Sequence, residues 1–319
     1  MSSRSRKSGR AAAPVALLAL AALVAWGPRP RQSTPALHVC ADPNNLPFSN
    51  RRREGFENRV AEMLARELHR TLEYTWAPEW RGFIRKGLGA GRCDVIMGIP
   101  AESDRVLTTR PYYTSTYVFL SRRDRRLDIR SLDDPRLRSL RIGLHFIGDD
   151  YRNPPPADAL ARRGIVRNIV GYSIYGDYSR PNPPADLVRA VARREVDLAI
   201  VWGPFAGYFG NREGVPMRIT PVTPAVDPPG IRYTFAIAAG VRRDDTTLHA
   251  ELDSALARRR SEIDRILRQY GVPLVRADST DSLRSAWSSG DRGAPAGQLA
   301  QACAARATAS APREVTCAP

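Results

Sequence analysis

The pattern that most constrains this chain is a repeated switch between short apolar runs and amphipathic helical stretches. Residues 37–41 read as a strand, and residues 55–69 as a helix with Phe56, Val60, Met63, Leu64 and Leu68 along one face. An alternating strand at 72–76, a helix at 81–88 and a nearly all-apolar strand at 93–98 follow. Apolar strands separated by helices need cover on both faces, which predicts an α/β fold with open, mostly parallel sheets. In such a sheet the loop after the first strand is delivered to a cleft. Here that loop is the proline- and asparagine-rich stretch from Asp42 to Asn50. Loops of this kind touch ligands, while the elements behind them hold the loop in place.

The pattern then repeats. A strand at 117–120 leaves the first unit, and the charged run from Arg122 to Arg126 marks a crossing. Strands at 140–145 and 168–172, a helix at 186–192 and a strand at 196–201 make a second unit. One more strand at 233–238 and a long helix at 248–270 complete the folded part. Between them, residues 148–184 carry Pro154-Pro155-Pro156 and Pro181-Asn182-Pro183-Pro184 and read as a lid, with Tyr172, Tyr175 and Tyr178 as its aromatic groups. The expected organisation is two lobes, 37–120 with 231–277 and then 121–230. They are joined by two hinge crossings, near 120–122 and near 230–233. Gly87, Gly89 and Gly91 end a helix instead of opening one, so they are a helix stop and not a phosphate loop.

The two ends differ from this body. Arg4, Arg6, Lys7 and Arg10 precede an apolar run at 11–25, interrupted by Pro14 and shorter than the ~20 residues of a membrane span. This predicts an export signal over 1–36 and a periplasmic chain with no stable membrane span once the signal is removed; an uncleaved anchor is the alternative. Residues 278–319, rich in Ser, Ala, Gly and Pro, are expected to be a disordered tail.

Charge and cysteines narrow the class further. The formal charge is +16, six of those cations lie within residues 1–36, and only Lys7 and Lys86 are lysines. No helix-turn-helix, zinc finger or aromatic-interleaved RNA motif accompanies the arginines, so nucleic acid is not an expected partner. Four cysteines in an exported chain favour disulfides over metal or redox chemistry. Cys40 and Cys93 fall in early strands, and Cys303 and Cys317 in the tail. Pairing within each set is the simplest of three connectivities. His38, His69, His145 and His249 are scattered singly and match no zinc spacing. No Ser-His-Asp order, His-Glu-x-x-His or Walker loop occurs, and Asp42, Glu57 and Asp149 stand without a recognisable base or nucleophile. The expectation is a non-enzyme that holds neither metal nor cofactor.

Two longer motifs carry a resemblance. The segment from Ser103 to Tyr113, SDRVLTTRPYY, resembles the one that follows the third strand in amino-acid-type extracellular solute-binding proteins. The segment from Glu195 to Pro204, EVDLAIVWGP, resembles the strand and loop of their second lobe. That resemblance implies the two-lobed type II periplasmic binding protein fold. More narrowly, the motifs VCADPNNLPFSN (39–50), GFEN (55–58), GRCDV (91–95) and RVLTTRPYY (105–113) resemble the quinoprotein dehydrogenase-associated substrate-binding proteins, the J proteins of the methanol dehydrogenase system. This implies a periplasmic partner of a dehydrogenase that uses pyrroloquinoline quinone and a calcium or lanthanide ion. It does not imply that this chain carries those cofactors.

The residues expected at the cleft follow from both readings. They are Asp42, Asn44, Asn45, Phe48 and Asn50 of the first loop, Trp80, Arg81 and Phe83, then Tyr112, Tyr113 and Trp202; about half of the aromatics are expected to be core. The resemblance adds Arg105, at the place where amino-acid binders hold a carboxylate in a bidentate pair. Where those binders place an aspartate for the ammonium group, this chain has Trp202. A buried ammonium without a counter-charge costs several kcal/mol, so zwitterionic amino acids are expected to bind poorly. Two functions are carried forward. One is an accessory protein that grips a dehydrogenase subunit and assists its maturation; the other is a transport receptor for a small organic solute.

Overall fold

The computed structural model describes residues 35–79, 82–146, 153–174 and 178–275. The tail, residues 1–34, Trp80, Arg81, Asp149, Tyr175, Cys303 and Cys317 lie outside the described residues. Ala36, the last residue of the segment read as an export signal, already belongs to the first strand.

Strand β1 (Ala36–Ala41) leads through two short strands, β2 (Asn44–Asn45) and β3 (Ser49–Asn50), into helix α1 (Phe56–Glu67). Then come β4 (Thr71–Trp76), a one-turn helix α2 (Phe83–Lys86), β5 (Val95–Pro100) and the two-residue β6 (Leu107–Thr108). Strands β4, β1 and β5 are parallel, with Val39 beside both Tyr74 and Val95. Their period-two alternation sends Leu37, Val39 and Val95 to the core under α1, and Cys40 and Ile96 to a second cluster with Phe83, Leu88 and Cys93, which precedes β5. Both faces are covered, as the continuous apolar runs require.

The ten-residue β7 (Tyr113–Arg122) joins the two halves. The second half contains β8 (Ile142–Phe146), α3 (Pro155–Arg162), β9 (Ile169–Ser173), α4 (Ala185–Ala192), β10 (Leu198–Trp202), α5 (Gly203–Gly210) and β11 (Met217–Pro221). The short pair β12 (Val226–Asp227) and β13 (Ile231–Arg232) then leads into β14 (Thr234–Val241), α6 (Thr246–Arg258) and α7 (Arg260–Gln269). The strand order is β4-β1-β5-β14-β7-β10-β8-β9.

Parallel pairing is confined to the outer strands of each half. At the centre, β14 is antiparallel to β5 and β7, and β7 is antiparallel to β10 and β11. The reason is the crossing itself: β7 carries the chain out of the first half and β14 carries it back. Strand β7 pairs with β14 through Tyr113–Thr116 and with β10 from Tyr117 onward. The change of partner thus falls a few residues before the 120–122 read from sequence.

The long helix read over 248–270 is two helices, broken at Arg259. Arg258 and Arg259 both donate to Glu67 at the end of α1, at 2.7 and 2.6 Å. An unbroken helix would place consecutive side chains about 100° apart, so the break lets both meet one carboxylate.

Candidate functional site

The loop from Asp42 to Asn50 is a built structure. Asn58, in the first turn of α1, accepts from the backbone N–H of Asn50 and of Gly55, both at 3.1 Å. Its amide donates to the Tyr74 hydroxyl. Phe56 and Glu57 donate backbone N–H groups to the carbonyls of Pro47 and Phe48 at 2.8 and 3.0 Å. A Cβ at Gly55 would lie 1.9 Å from the Phe48 carbonyl oxygen, so only glycine lets the loop press onto the helix start. Glu54 and Asn50 close the loop's far end with two further bonds.

Asp42 is 3% exposed, and its carboxylate organises the loop. It accepts from the backbone N–H of Asn44 at 2.7 Å, the backbone N–H of Glu79 at 2.8 Å and the hydroxyl of Tyr178 at 2.7 Å. Burial raises its pKa, and these three donors oppose the rise. Asn45 donates to Glu79 at 3.0 Å, while its buried carbonyl oxygen has no partner. Deeper in, Glu57 lies against Gly98, where a Cβ would come within 2.4 Å of its carboxyl oxygen. Desolvation first, and then the charge of Glu79, push Glu57 well above the usual carboxylate range, while a hydrogen bond from Tyr112 works the other way.

The second half meets this loop through the segment read as a lid. Asn44 donates its side-chain amide to the Arg180 carbonyl at 2.8 Å and accepts from the Asn182 backbone N–H at 3.1 Å. Together with Asp42–Tyr178, these bonds latch residues 42–44 to residues 178–182. Phe48 continues the contact. Its ring meets Phe56 edge-on at 5.3 Å and Phe205 at 5.1 Å, so one side chain joins the cores of both halves. Phe205 in turn packs against His145 at 5.0 Å.

His145, one of the four scattered histidines, is a core residue. Nε2 donates to the Pro184 carbonyl at 3.0 Å, and the buried Nδ1 has no partner. Burial lowers its pKa to about 4. An unfolded histidine protonates near 6.5, so the unfolded chain takes up the proton first and stability falls as pH drops from about 6.5 toward 4. The expected loss through this group is about 3 kcal/mol. Urea unfolding at several pH values should show that part of the slope vanish in His145→Gln.

The sequence candidates divide. Asp42, Asn44, Asn45, Phe48 and Asn50 share one loop. Tyr112 and Tyr113, at 1 and 2% exposure, are core residues and not cleft contacts. Tyr113 meets Phe56 edge-on, and the Tyr112 hydroxyl accepts from the Gly98 N–H. The reason is that β7 begins at Tyr113, four residues earlier than read, which carries the pair into the core under α1. Phe83 lies on the opposite face of the sheet, in the cluster that contains the Cys40–Cys93 disulfide. Arg105 is exposed and makes no side-chain ion pair or hydrogen bond among the described residues. Trp202 is half-buried between Tyr117 and Phe235, at 5.4 and 5.9 Å, where β7, β10 and β14 meet. Glu79 and Arg180 gave no sequence signal as partners of the loop, whereas Tyr178 and Asn182 lie in the segment read as a lid.

Among the described residues, no group of three or more His, Cys, Asp and Glu could hold a metal ion, and no helix is long and apolar enough to cross a membrane.

Residues 37–273 match the bacterial extracellular solute-binding proteins, family 3. Protein MoxJ of Methylorubrum extorquens is 33% identical over 286 residues, covering 82% of this chain and 92% of that protein. The crystal structure of MxaJ from Methlophaga aminisulfidivorans MPT has a TM-score of 0.66 at 29% identity and covers 75% of this chain and 100% of its own. That of the periplasmic binding protein XoxJ from Methylobacterium extorquens AM1 has a TM-score of 0.62 at 34% identity, covering 76% and 100%. The chain therefore belongs to the bacterial extracellular solute-binding proteins of family 3, on the branch of the quinoprotein dehydrogenase-associated J proteins.

Proposed function

We propose that this protein is a periplasmic accessory factor that grips a segment of a dehydrogenase subunit dependent on pyrroloquinoline quinone and assists its maturation. One observation carries the reading. Asn44 engages the carbonyl of residue 180 and the N–H of residue 182, two main-chain groups two residues apart in a segment that turns there, with Asn182 at φ 52°. Hydrogen bonds to main-chain groups let a protein hold a peptide whatever side chains it carries. The 42–50 loop thus has the chemistry of a peptide-holding loop, occupied here by the chain's own 178–182 segment. A dehydrogenase segment would displace that segment and take its bonds.

The lobes are 37–120 with 231–277, and 121–230. They hinge where β7 changes partner and where β13 passes into β14. The cross-lobe bonds of Asp42 and Asn44 sum to about 2–3 kcal/mol, because part of each is exposed. Removing them in Asn44→Ala/Tyr178→Phe is expected to shift the closed–open equilibrium by about a hundredfold. Small-angle scattering should then show a larger radius of gyration than wild type. An unchanged radius would remove the latch from the account.

A transport receptor for a small organic solute is the second reading, favoured by the family itself. It predicts a solute that raises the melting temperature and closes the lobes. With Trp202 in the second-lobe loop, zwitterionic amino acids are not expected among such solutes. Co-purification of the chain with a dehydrogenase subunit from periplasmic extract separates the two readings. Unchanged dehydrogenase activity and metal content in a deletion strain would count against the first.

A further inference from the structure

In the second half, β8 pairs in parallel with both β9 and β10, and β7 runs antiparallel to β10. Helices α3 and α4 carry the chain back between the parallel strands. The residues ahead of each strand, the last turns of both helices and the end of β7 therefore gather at one end of this half. The lid follows the other end of β9, so the gathered end faces away from the latch. Asn168 ties two of its connectors together. Its amide donates to the carbonyls of Leu137, at 2.7 Å, and Leu140, and its own carbonyl accepts from the Ile142 N–H at 2.9 Å.

This end is strongly basic. Arg138, Arg141, Arg162 and Arg167 are exposed and make no side-chain ion pair or hydrogen bond among the described residues. Acids of the same connectors are already engaged. Asp124 accepts from Arg122 and Arg194 at 2.7 and 2.9 Å, Asp134 from Arg136 at 2.6 Å, and Asp197 from Arg125. Among these cations stands an apolar side chain, Val166. It is 55% exposed, against 36 and 40% for Phe146 and Leu274, the other exposed large apolar side chains among the described residues.

We propose that this end of the second half docks on a bilayer surface carrying anionic phospholipid, with the four arginines at the phosphates and Val166 among the headgroups. The core of a protein interface is depleted in charge and enriched in aromatic groups. Here the reverse holds: connectors 123–141, 163–168 and 193–197 contain no Phe, Tyr or Trp. Free charge spread over several connectors matches a plane of negative charge, and guanidinium groups pair bidentately with phosphate oxygens. Because the surface lies away from the lid, the inference does not rest on the peptide grip.

Hydrogen–deuterium exchange of the full chain with vesicles of equal parts phosphatidylglycerol and phosphatidylcholine tests the proposal. Residues 1–34 are present in every arm, so any hold they have on the vesicle is common to all. Amides of 138–141 and 162–168 are expected to gain protection. That protection should be absent with pure phosphatidylcholine and lost at about 0.5 M salt, where screening acts within a few ångströms. Each arginine at an anionic surface strengthens binding about fivefold. In Arg138→Gln/Arg141→Gln/Arg167→Gln the lipid concentration for half protection should therefore rise by about tenfold or more. Arg243→Gln/Arg265→Gln/Arg268→Gln removes as many exposed charges from the first half and should leave it unchanged. Val166→Asp, an independent check, should weaken protection as well. No protection, equal protection by the two lipids, or equal effects of the two triple variants would overturn the proposal. Protection of these amides by apo-dehydrogenase and not by vesicles would also overturn it, and would make this end a protein-docking face. Displacement of the lid is a separate readout, at residues 178–184.

Discussion

Replacing Cys40 and Cys93 with alanine is expected to lower the free energy of unfolding by about 4 kcal/mol, measured by urea titration without reductant. The magnitude follows from the 53-residue separation that the bridge spans, since a cross-link of that length removes much of the unfolded chain's freedom. Alanine is the choice because both sulfurs are buried, at 2 and 0% exposure, and a hydroxyl there would add a separate desolvation cost. The consequence reaches the functional loop. Cys40 is the penultimate residue of β1, and Asp42 follows two residues later. The bridge ties the end of β1 to the start of β5, so its loss should raise amide exchange in residues 41–50 before it affects the second half. A variant as stable as wild type would show that packing of the small core, and not the cross-link, fixes this end of the sheet.

The second large effect is expected at Arg163. Its guanidinium makes a bidentate pair with Asp227, at 2.7 and 2.6 Å, and also reaches Asp133 at 2.8 Å. Asp227 is 2% exposed, so its carboxylate has little water to turn to. Arg163→Met would strand that charge, and losing one partner of a buried pair costs about 3–5 kcal/mol. The compensating double variant, Arg163→Met/Asp227→Leu, should recover most of the loss, because it removes the buried charge as well. Thermal unfolding of the wild type, the single and the double variant decides the matter. The pair has a functional position too. Asp227 lies in β12, just ahead of the return crossing, and Arg163 ends α3. A weakened pair should loosen the second lobe near the hinge without touching the latch.

How much of this could be read from the chain depends on distance in sequence. The parallel core β4-β1-β5, helix α1 and the Cys40–Cys93 pairing were legible, because period-two and 3.6-residue patterns are local and strong there. The J-protein resemblance was legible from the same region. The antiparallel centre was not, since strand direction between β7 and β14 is set by contacts well over a hundred residues apart. Tyr112 and Tyr113 looked like cleft aromatics because aromatic groups line cores and clefts alike. Only the early start of β7 shows which they are. The break at Arg259 has no glycine or proline to announce it, and the carboxylate that both arginines meet there lies nearly two hundred residues away. Arg105 keeps its motif but makes no side-chain ion pair or hydrogen bond among the described residues. The latch was half legible: the loop and the lid were both singled out, but not that each is the other's partner, 136 to 138 residues apart.

On the proposed reading the 42–50 loop is a grip for a segment of another chain, in a place that residues 178–182 now fill. Hydrogen–deuterium exchange of this protein mixed with the apo-dehydrogenase tests that most directly. Amides of residues 178–184 should lose protection as the segment is displaced, while those of 42–50 stay protected under the incoming chain. If both segments keep the exchange of the free protein, the loop grips nothing but its own lid and the central claim is wrong.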